Sequence, residues 1–276
     1  DHRDLHRVDR RQRQMCIRDR FKDNLPKLLV SQKFAEQIVS SAEEDKETAY
    51  LEKIDNFILK EYSNEQILLH TIQGDTFYSY KNSPDQILQV EVKTFNDTQE
   101  EGLVLKSNRA EILKSGEMFF NDEVKIQTKT GVSHELDTES LIVLSNNGQI
   151  KSNKEVTYLG ETVRIISEGM EMDINSDTMH LSGSVKIFED SGMTVDTKNL
   201  HINHNAGAKI YNSKEKTVYR SKGTIVNSEN GIDMNMNIQL INLLGKVEVL
   251  SGSGGILKST NVIICLLYTS PSPRDS

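Results

Sequence analysis

The stretch Val195-Asp-Thr-Lys-Asn-Leu200 decides the fold, because variants of it recur at an almost constant spacing. It reads as an apolar residue, a polar residue, Ser or Thr, two polar residues and an apolar residue. Successive copies are separated by steps of 33, 31, 29, 30, 31 and 31 residues. The seven copies begin at Ile72, Leu105, Leu136, Ile165, Val195, Val226 and Leu257. A near-constant step is typical of a repeat architecture, in which each unit buries its apolar face against the next.

A second marker follows every other step. The segments Glu123-Val-Lys-Ile126, Ser184-Val-Lys-Ile187 and Lys246-Val-Glu-Val249 place a valine at positions 124, 185 and 247, which are 61 and 62 residues apart. The larger unit is therefore about two steps long.

Within each unit the hydrophobic period is two. Met170, Met172 and Ile174 alternate with Glu171 and Asp173, as strands of an antiparallel sheet with one wet face require. Turn signals separate these runs, at Ser83-Pro84-Asp85, Ser115-Gly116, Thr130-Gly131, Asn146-Asn147-Gly148, Glu168-Gly169, Ser191-Gly192, Ala206-Gly207 and Asn230-Gly231. Short strands with such turns predict an all-β sandwich, barrel or roll.

One stretch, 24–48, has a short helical stripe, and it predicts a helix that is either a linker or a lid on the sheet. The linker is the favoured alternative. The terminal segments 1–20 and 265–276 carry most of the arginines and both cysteines, Cys16 and Cys265. They resemble translated adapter sequence more than evolved protein, although a natural basic arm and tail is the alternative. We therefore divide the chain into 1–20, a helical linker 21–49, a β-region 50–188, its continuation 189–264 and a tail 265–276.

Composition excludes several function classes. The net charge of -8 argues against a nucleic-acid partner, whose phosphates require a basic surface. No run of apolar residues is long enough for a transmembrane helix. Two thiols at opposite ends predict neither a disulfide nor a metal site.

Catalytic motifs are not found. The chain has no Gly-x-Ser-x-Gly, and Gly252-Ser-Gly-Gly255 reads as a turn between strands. His201 and His204 are three apart, which places them on opposite faces of a strand, and we interpret both as surface residues near a turn. His70, His134 and His180 are isolated in sequence. We therefore expect no catalytic residues, no metal and no cofactor.

The Ser or Thr at the third position of the repeated stretch forms a series. Its members are Ser107, Thr138, Ser167, Thr197, Ser228 and Ser259. We interpret them as cross-strand hydroxyl pairs rather than as a chemical site.

The order of these motifs resembles that of the periplasmic lipopolysaccharide-export proteins of the LptC type. The resemblance rests on Ile58-Leu-Lys-Glu-Tyr62, the copies at 72, 105 and 136, Glu123-Val-Lys-Ile126, Glu168-Gly-Met-Glu-Met-Asp173 and Leu181-Ser-Gly-Ser-Val-Lys186. Residues 50–188 carry it, and 189–264 resembles the related LptA/OstA-like domain. The roll is longer than the usual LptC plan by about one unit, and the membrane helix of that plan is missing. The sequence thus leaves LptC, LptA and a longer relative open.

This resemblance implies an open, twisted antiparallel β-jellyroll of repeated strand pairs, with a short N-terminal helix. It also implies a non-enzymatic lipid-transfer protein in the periplasm, anchored to the inner membrane by a helix absent from this sequence. The partners implied are lipopolysaccharide and, through edge strands, an inner-membrane ABC transporter complex and an LptA-type bridge protein. The residues expected to face the acyl chains are Ile72, Phe77, Leu105, Val124, Ile126, Leu136, Val163, Ile165, Met170, Met172, Ile174, Leu181, Val185, Ile187, Val195, Met234, Met236, Val247 and Val249.

Two other classes of function fit parts of the pattern. A β-solenoid or adhesin-like module would have a dry, filled interior and would bind protein or sugar. A cupin-like jellyroll enzyme would need a stoichiometric metal.

Overall fold

The computed structural model describes residues 50–96, 98–129, 131–144 and 148–266. The predicted helix at 24–48 lies outside these residues. The described part consists of β-strands and one turn of 3-10 helix at Asn205–Gly207. No helix in these ranges is long and apolar enough to cross a bilayer.

Within the described residues, nineteen strands form a single antiparallel sheet. The first half of the chain contributes β1 (Glu52–Tyr62), β2 (Leu68–Ser79), β3 (Asp85–Phe95), β4 (Glu101–Ile112), β5 (Met118–Thr128), β6 (Glu135–Leu144), β7 (Gln149–Ser152), β8 (Val156–Leu159) and β9 (Val163–Asp173). The second half contributes β10 (Thr178–Glu189), β11 (Thr194–Asn203), β12 (Ile210–Ser213), β13 (Thr217–Ser221), β14 (Thr224–Ser228), β15 (Ile232–Asn235), β16 (Leu240–Leu243), β17 (Val247–Leu250), β18 (Ile256–Ser259) and β19 (Val262–Cys265).

The strands follow one another as a meander, in which each long strand pairs with the one before and the one after. We call each crossing of the sheet by the chain a pass. Some passes consist of one long strand, and others consist of two short strands that lie end to end. The strands β7 and β8 share the space between β6 and β9, and the pairs β12/β13, β14/β15, β16/β17 and β18/β19 are arranged in the same way. Two passes make one step of the sequence repeat, so the repeated stretch occurs in every second pass.

Each repeated stretch lies at the middle of its pass, where the strand bends. Its first and third residues share a face, but its last apolar residue is three positions further on, which breaks the period of two. In β11, Val195, Thr197 and Leu200 are all buried. The alternation of inward and outward side chains must therefore be interrupted between Thr197 and Leu200. Asn199, inside this gap, has a positive φ of 50°. Other passes show the same break as a register shift, for example in β4 between Lys106 and Arg109.

The hydroxyl groups of the series stabilise this bend. Ser107 and Ser167 each donate to the carbonyl two residues further along their own strand, at 2.8 and 3.0 Å. Thr197 instead contacts the hydroxyls of Ser213 and Thr217 on the neighbouring pass, at 3.0 and 2.9 Å. The predicted cross-strand pairing is therefore correct for Thr197 and, with Ser152 as its partner, for Thr138. It is wrong for Ser107, Ser167, Ser228 and Ser259, whose hydroxyls bond backbone carbonyls.

The bends fold the sheet over on itself. One face of the sheet is buried along almost every pass, with Ile165, Leu181 and Val185 at 0% exposure. Since the described part of the chain contains no other layer, only the opposite halves of the same strands can cover this face. The result is an all-β roll whose two layers are the two halves of every pass. The predicted open antiparallel β-jellyroll is thus confirmed.

Two predicted turns are bends. Glu168-Gly169 lies inside β9, and Asn230-Gly231 separates β14 from β15 within one pass. Both contain a glycine, which a turn also favours, but Gly169 is needed for a close approach, since a Cβ there would lie 2.9 Å from the carbonyl oxygen of Ser152. Gly231 has a φ of 101°, and a Cβ there would lie 1.9 Å from the carbonyl oxygen of Ser213.

The roll also extends beyond the predicted boundary at residue 264. Cys265 ends β19, and the backbone N–H of Leu266 donates to the carbonyl of Gln239 at 2.8 Å. Residues 267–276 lie outside the described ranges. The boundary between 188 and 189 falls within β10, so the two β-regions share one continuous sheet.

Replacing a buried bend hydroxyl should lower stability. Ser228, at 0% exposure, donates to the carbonyls of Gly231 and Leu244 at 2.8 and 2.6 Å. Ser228→Ala removes a buried hydrogen-bond donor, although backbone N–H groups of Leu244 and Asn230 still donate to the two carbonyls, and we expect a loss of about 0.5–1.5 kcal/mol in the free energy of unfolding. Urea denaturation measures it.

Ser259→Ala is the matched control. Ser259 holds the same repeat position and donates to the carbonyl of Asn261 at 2.9 Å, but it is exposed. Its loss should cost less than about 0.5 kcal/mol. Equal effects of the two substitutions would contradict the role assigned to the buried hydroxyl.

Candidate functional site

The two layers of the roll meet again along a seam, opposite the bends, where the ends of the passes come together. The loops that contain His134 and Glu161 lie at one end of the passes, because β6 begins beside the end of β8. The turns that contain Asp177 and His204 lie at the other end, because β10 begins beside the end of β11. Contacts between these two sets of turns therefore close the roll from the side.

Side chains bridge the seam in the middle of the roll. The Tyr158 hydroxyl lies 3.3 Å from Nε2 of His204 and 3.4 Å from the hydroxyl of Tyr211. Lys209 donates to the carboxylate of Glu161 at 2.5 Å. Tyr158 is fully buried, whereas Glu161 is exposed, so the seam is closed by aromatic rings inside and by an ion pair outside.

A cleft of ≈ 290 Å³ opens along this seam. Its apolar lining includes Val163, Met236 and Leu266, and its polar rim includes Glu161 and Lys209. Val163 and Met236 also pack in the interior, so the cleft leads from solvent to the buried face of the sheet.

The structure places every predicted interior residue on the buried face. Sixteen of the nineteen belong to the buried hydrophobic cluster, and Ile174, Met236 and Val249 pack against it. Their contact with lipid stays a prediction, whereas their inward orientation is observed.

Methionines are concentrated in the central part of this interior. Met170, Met172, Met179, Met193 and Met234 are each at most 4% exposed. Methionine is unbranched and polarizable, and it adapts to irregular apolar shapes. The centre of the roll is therefore filled, but with side chains that can rearrange.

The two ends of the roll are less covered than its centre. On β1, Ile54, Phe57 and Leu59 are only partly buried, and Ile58 on the opposite face is 63% exposed. At the other end all four residues of β18 are exposed. Of the described strands, β1 pairs with β2 alone, so β1 is an edge strand of the described sheet.

A polar cluster, which sequence reasoning missed, lies at the seam next to residues that line the cleft. Ligand-competent atoms of His134, Asp177 and His204 all lie within 4.8 Å of one another. His134 and His204 are 3% and 2% exposed, so the interpretation of His204 as a surface residue is wrong. The ring centroids of the two histidines are 5.0 Å apart. Their separation in sequence left no local signal for this contact.

Burial controls the charges of this cluster. It lowers the pKa of His204 to about 4, with smaller contributions from His134 and Lys209. It also lowers the pKa of His134, against the opposing effect of a hydrogen bond to the Val132 carbonyl. Burial raises the pKa of Asp177, and neighbouring His134 opposes that shift. At neutral pH both imidazoles are therefore uncharged.

A second histidine pair lies on the outer face. His180 and His201 are cross-strand neighbours whose rings stack at 4.4 Å. His201 is exposed, as predicted, and it lies on the face opposite His204.

Acid should destabilise the fold through His204. A histidine whose pKa falls on folding binds its proton first in the unfolded chain, so stability present above pH 6.5 is lost as the pH falls toward 4. The shift corresponds to roughly 3 kcal/mol, which screening by the surrounding solvent reduces to about 2 kcal/mol. Asp177, with its raised pKa, acts in the opposite direction and offsets part of the loss.

Urea denaturation at pH 7 and pH 4.5 measures the effect as a difference between variants, since other carboxylates also titrate. His204→Gln should flatten the pH dependence by about 1–2 kcal/mol. His180→Gln, on the outer face, should change it less, because His180 is only a secondary cause, after burial, of the lowered pKa of its neighbour His201. An unaltered pH dependence in His204→Gln would show that the buried ring is not the titrating group.

Comparison with known proteins agrees with this geometry. No curated protein matches the chain. The family described as lipopolysaccharide-assembly, LptC-related, matches residues 28–190, which is more than half of the chain. The chain belongs to this LptC-related family, which is involved in lipopolysaccharide transport.

Proposed function

We propose that the protein is a non-enzymatic lipid-transfer module that holds lipopolysaccharide acyl chains inside the roll and passes them between the inner-membrane transporter and the outer-membrane machinery. The observation that carries this proposal is the apolar interior lined by methionines, with a cleft along its seam and two incompletely covered ends. Membership of the LptC-related family supports lipopolysaccharide as the ligand, and the cleft and the two ends support a route for its acyl chains.

The energetics suit transfer rather than permanent storage. Each methylene removed from water contributes about 0.8 kcal/mol, so six buried methylenes give roughly 5 kcal/mol. Acyl chains would enter through the seam and displace methionine side chains, whose rearrangement costs little. The acyl chains would then lie along the axis of the roll, across successive passes.

Release would occur at the ends. A neighbouring roll that pairs with the β1 edge would continue both the sheet and the apolar interior, which is β-strand addition. An LptA-type bridge protein at one end and the ABC transporter complex at the other would make one continuous path. The module would act in the periplasm, attached to the inner membrane by an N-terminal anchor.

The filled centre favours one competing function, a purely structural interaction module. Leu181 and Ile165 are at 0% exposure, and a scaffold needs no space between its layers. The two functions differ in whether the interior accepts acyl chains.

Charge at the seam should prevent lipid uptake. Met236 lines the cleft and packs against the interior, and Met236→Asp places a carboxylate where an acyl chain would enter. We expect at least a tenfold loss of affinity for lipopolysaccharide or for a fluorescent fatty acid, because a charge is costly to desolvate. Fluorescence titration measures it, with circular dichroism to verify folding.

Ile238→Asp is the matched control. Ile238 lies two residues further along and is 62% exposed, so a carboxylate there meets only solvent and binding should not change. The lipid-transfer proposal fails if the unmodified protein takes up no acyl chains. It also fails if the Met236→Asp variant binds acyl chains as tightly as the unmodified protein, and either result favours the structural module.

The β1 edge should be the contact with the bridge protein. A photoreactive amino acid at Ile58, on the exposed face of β1, should cross-link to a purified LptA-type protein. The same group at Phe188, 39% exposed on β10 between two paired neighbours, should not. Mass spectrometry of the adducts distinguishes the sites, and equal cross-linking would contradict an edge-specific contact.

A further inference from the structure

The polar cluster at the seam contains the donor set of a transition-metal site. It offers two imidazoles and one carboxylate, which are common ligands of Zn²⁺, while Mg²⁺ and Ca²⁺ prefer oxygen donors. Its members come from three separate loops, and the buried histidines have little freedom to move away.

His134 is oriented as a metal ligand would be. Its Nδ1 lies 3.0 Å from the carbonyl oxygen of Val132 and 3.1 Å from the hydroxyl of Thr128. A carbonyl only accepts, so this contact assigns the proton to Nδ1 and leaves the lone pair on Nε2. Metal-binding histidines are held in this way, with the second ring nitrogen donating to a carbonyl.

The Nε2 atom of His134 has no hydrogen-bond partner and is buried. A buried polar atom without a partner costs free energy, and such atoms are rare enough to need an explanation. The cluster around it provides one, since an ion would satisfy this lone pair.

The cluster also lies close to solvent. Tyr158 and Tyr211, which line the cleft, contact the rings of His134 and His204, and Asp177 is itself only half-buried. The Tyr158 hydroxyl, 3.3 Å from Nε2 of His204, lies close enough to interact with a bound water.

We infer that His134, Asp177 and His204 bind a divalent transition-metal cation, Zn²⁺ foremost, which clamps the two layers of the roll at the seam. Ligands of a tetrahedral Zn²⁺ lie roughly 3.3 Å apart, given bonds of about 2.0–2.1 Å. The present separations of up to 4.8 Å must therefore shorten on binding. Half-buried Asp177, on the turn between β9 and β10, can make this movement.

The clamp is independent of lipid binding, because it requires only these three side chains. Its consequence for the roll is mechanical. His134 belongs to the turns at one end of the passes, and Asp177 and His204 belong to those at the other. A cation shared among them would oppose the opening of the seam.

Calorimetric titration of the chelator-treated full chain with ZnCl₂ at pH 7 tests the site. We expect one ion per chain at this site and a rise in melting temperature with excess Zn²⁺, and no effect of MgCl₂. His134→Gln, and independently Asp177→Asn, should each weaken that binding at least tenfold. Circular dichroism establishes that the variants are folded, and the half-buried Asp177 is the milder substitution.

The double variant His180→Gln/His201→Gln is the matched control, since it removes the other histidine pair and should bind normally. Co²⁺ in place of Zn²⁺ should show the visible spectrum of nitrogen and oxygen ligands, without the thiolate charge-transfer band that Cys16 or Cys265 would produce. Absence of Zn²⁺ binding, full binding by Asp177→Asn and His134→Gln, or loss only in the control would overturn the assignment.

Discussion

The roll depends on one constraint, which is that the alternation of buried and exposed side chains is interrupted in the middle of each pass. A sheet with one buried face and no second element to cover it must fold over, and a strand can do this only where its ladder is interrupted. The interruption exposes backbone groups that must be satisfied. Buried hydroxyls at the third repeat position meet this need, as Ser167 does by donating to the carbonyl of Gly169. Stability and shape are therefore set at the same residues.

The bends also determine where the protein can open. Every pass is continuous through its bend, so the two layers are covalently joined on that side. On the opposite side, side chains such as Tyr158 and Tyr211 bridge the turns without a backbone connection. The seam is thus the weaker boundary of the interior, and the cleft lies there. An entrance for a long apolar ligand is expected on the side where only side-chain contacts must separate.

The step of about 31 residues was sufficient to predict strand pairs, an apolar inner face and the inward orientation of residues such as Leu105 and Val185. It did not distinguish a bend from a turn, because both use Gly, Asn and a positive φ. Asn230-Gly231 interrupts a pass, while Lys222 and Gly223 form the tighter connection between β13 and β14. Local sequence encodes the need for an unusual backbone, but the strand pairing decides its role.

The polar cluster was beyond local reasoning for a different reason. His134 and His204 lie in loops at opposite ends of the passes, and they meet only because the folded sheet returns those ends to each other. A buried imidazole pair beside a carboxylate would be costly anywhere in the apolar interior. At the seam it is tolerable, because the cluster lies close to the cleft and Asp177 remains half-exposed. Among the described residues, the buried histidines therefore lie at the seam, whereas the buried polar side chains at the bends are uncharged hydroxyls.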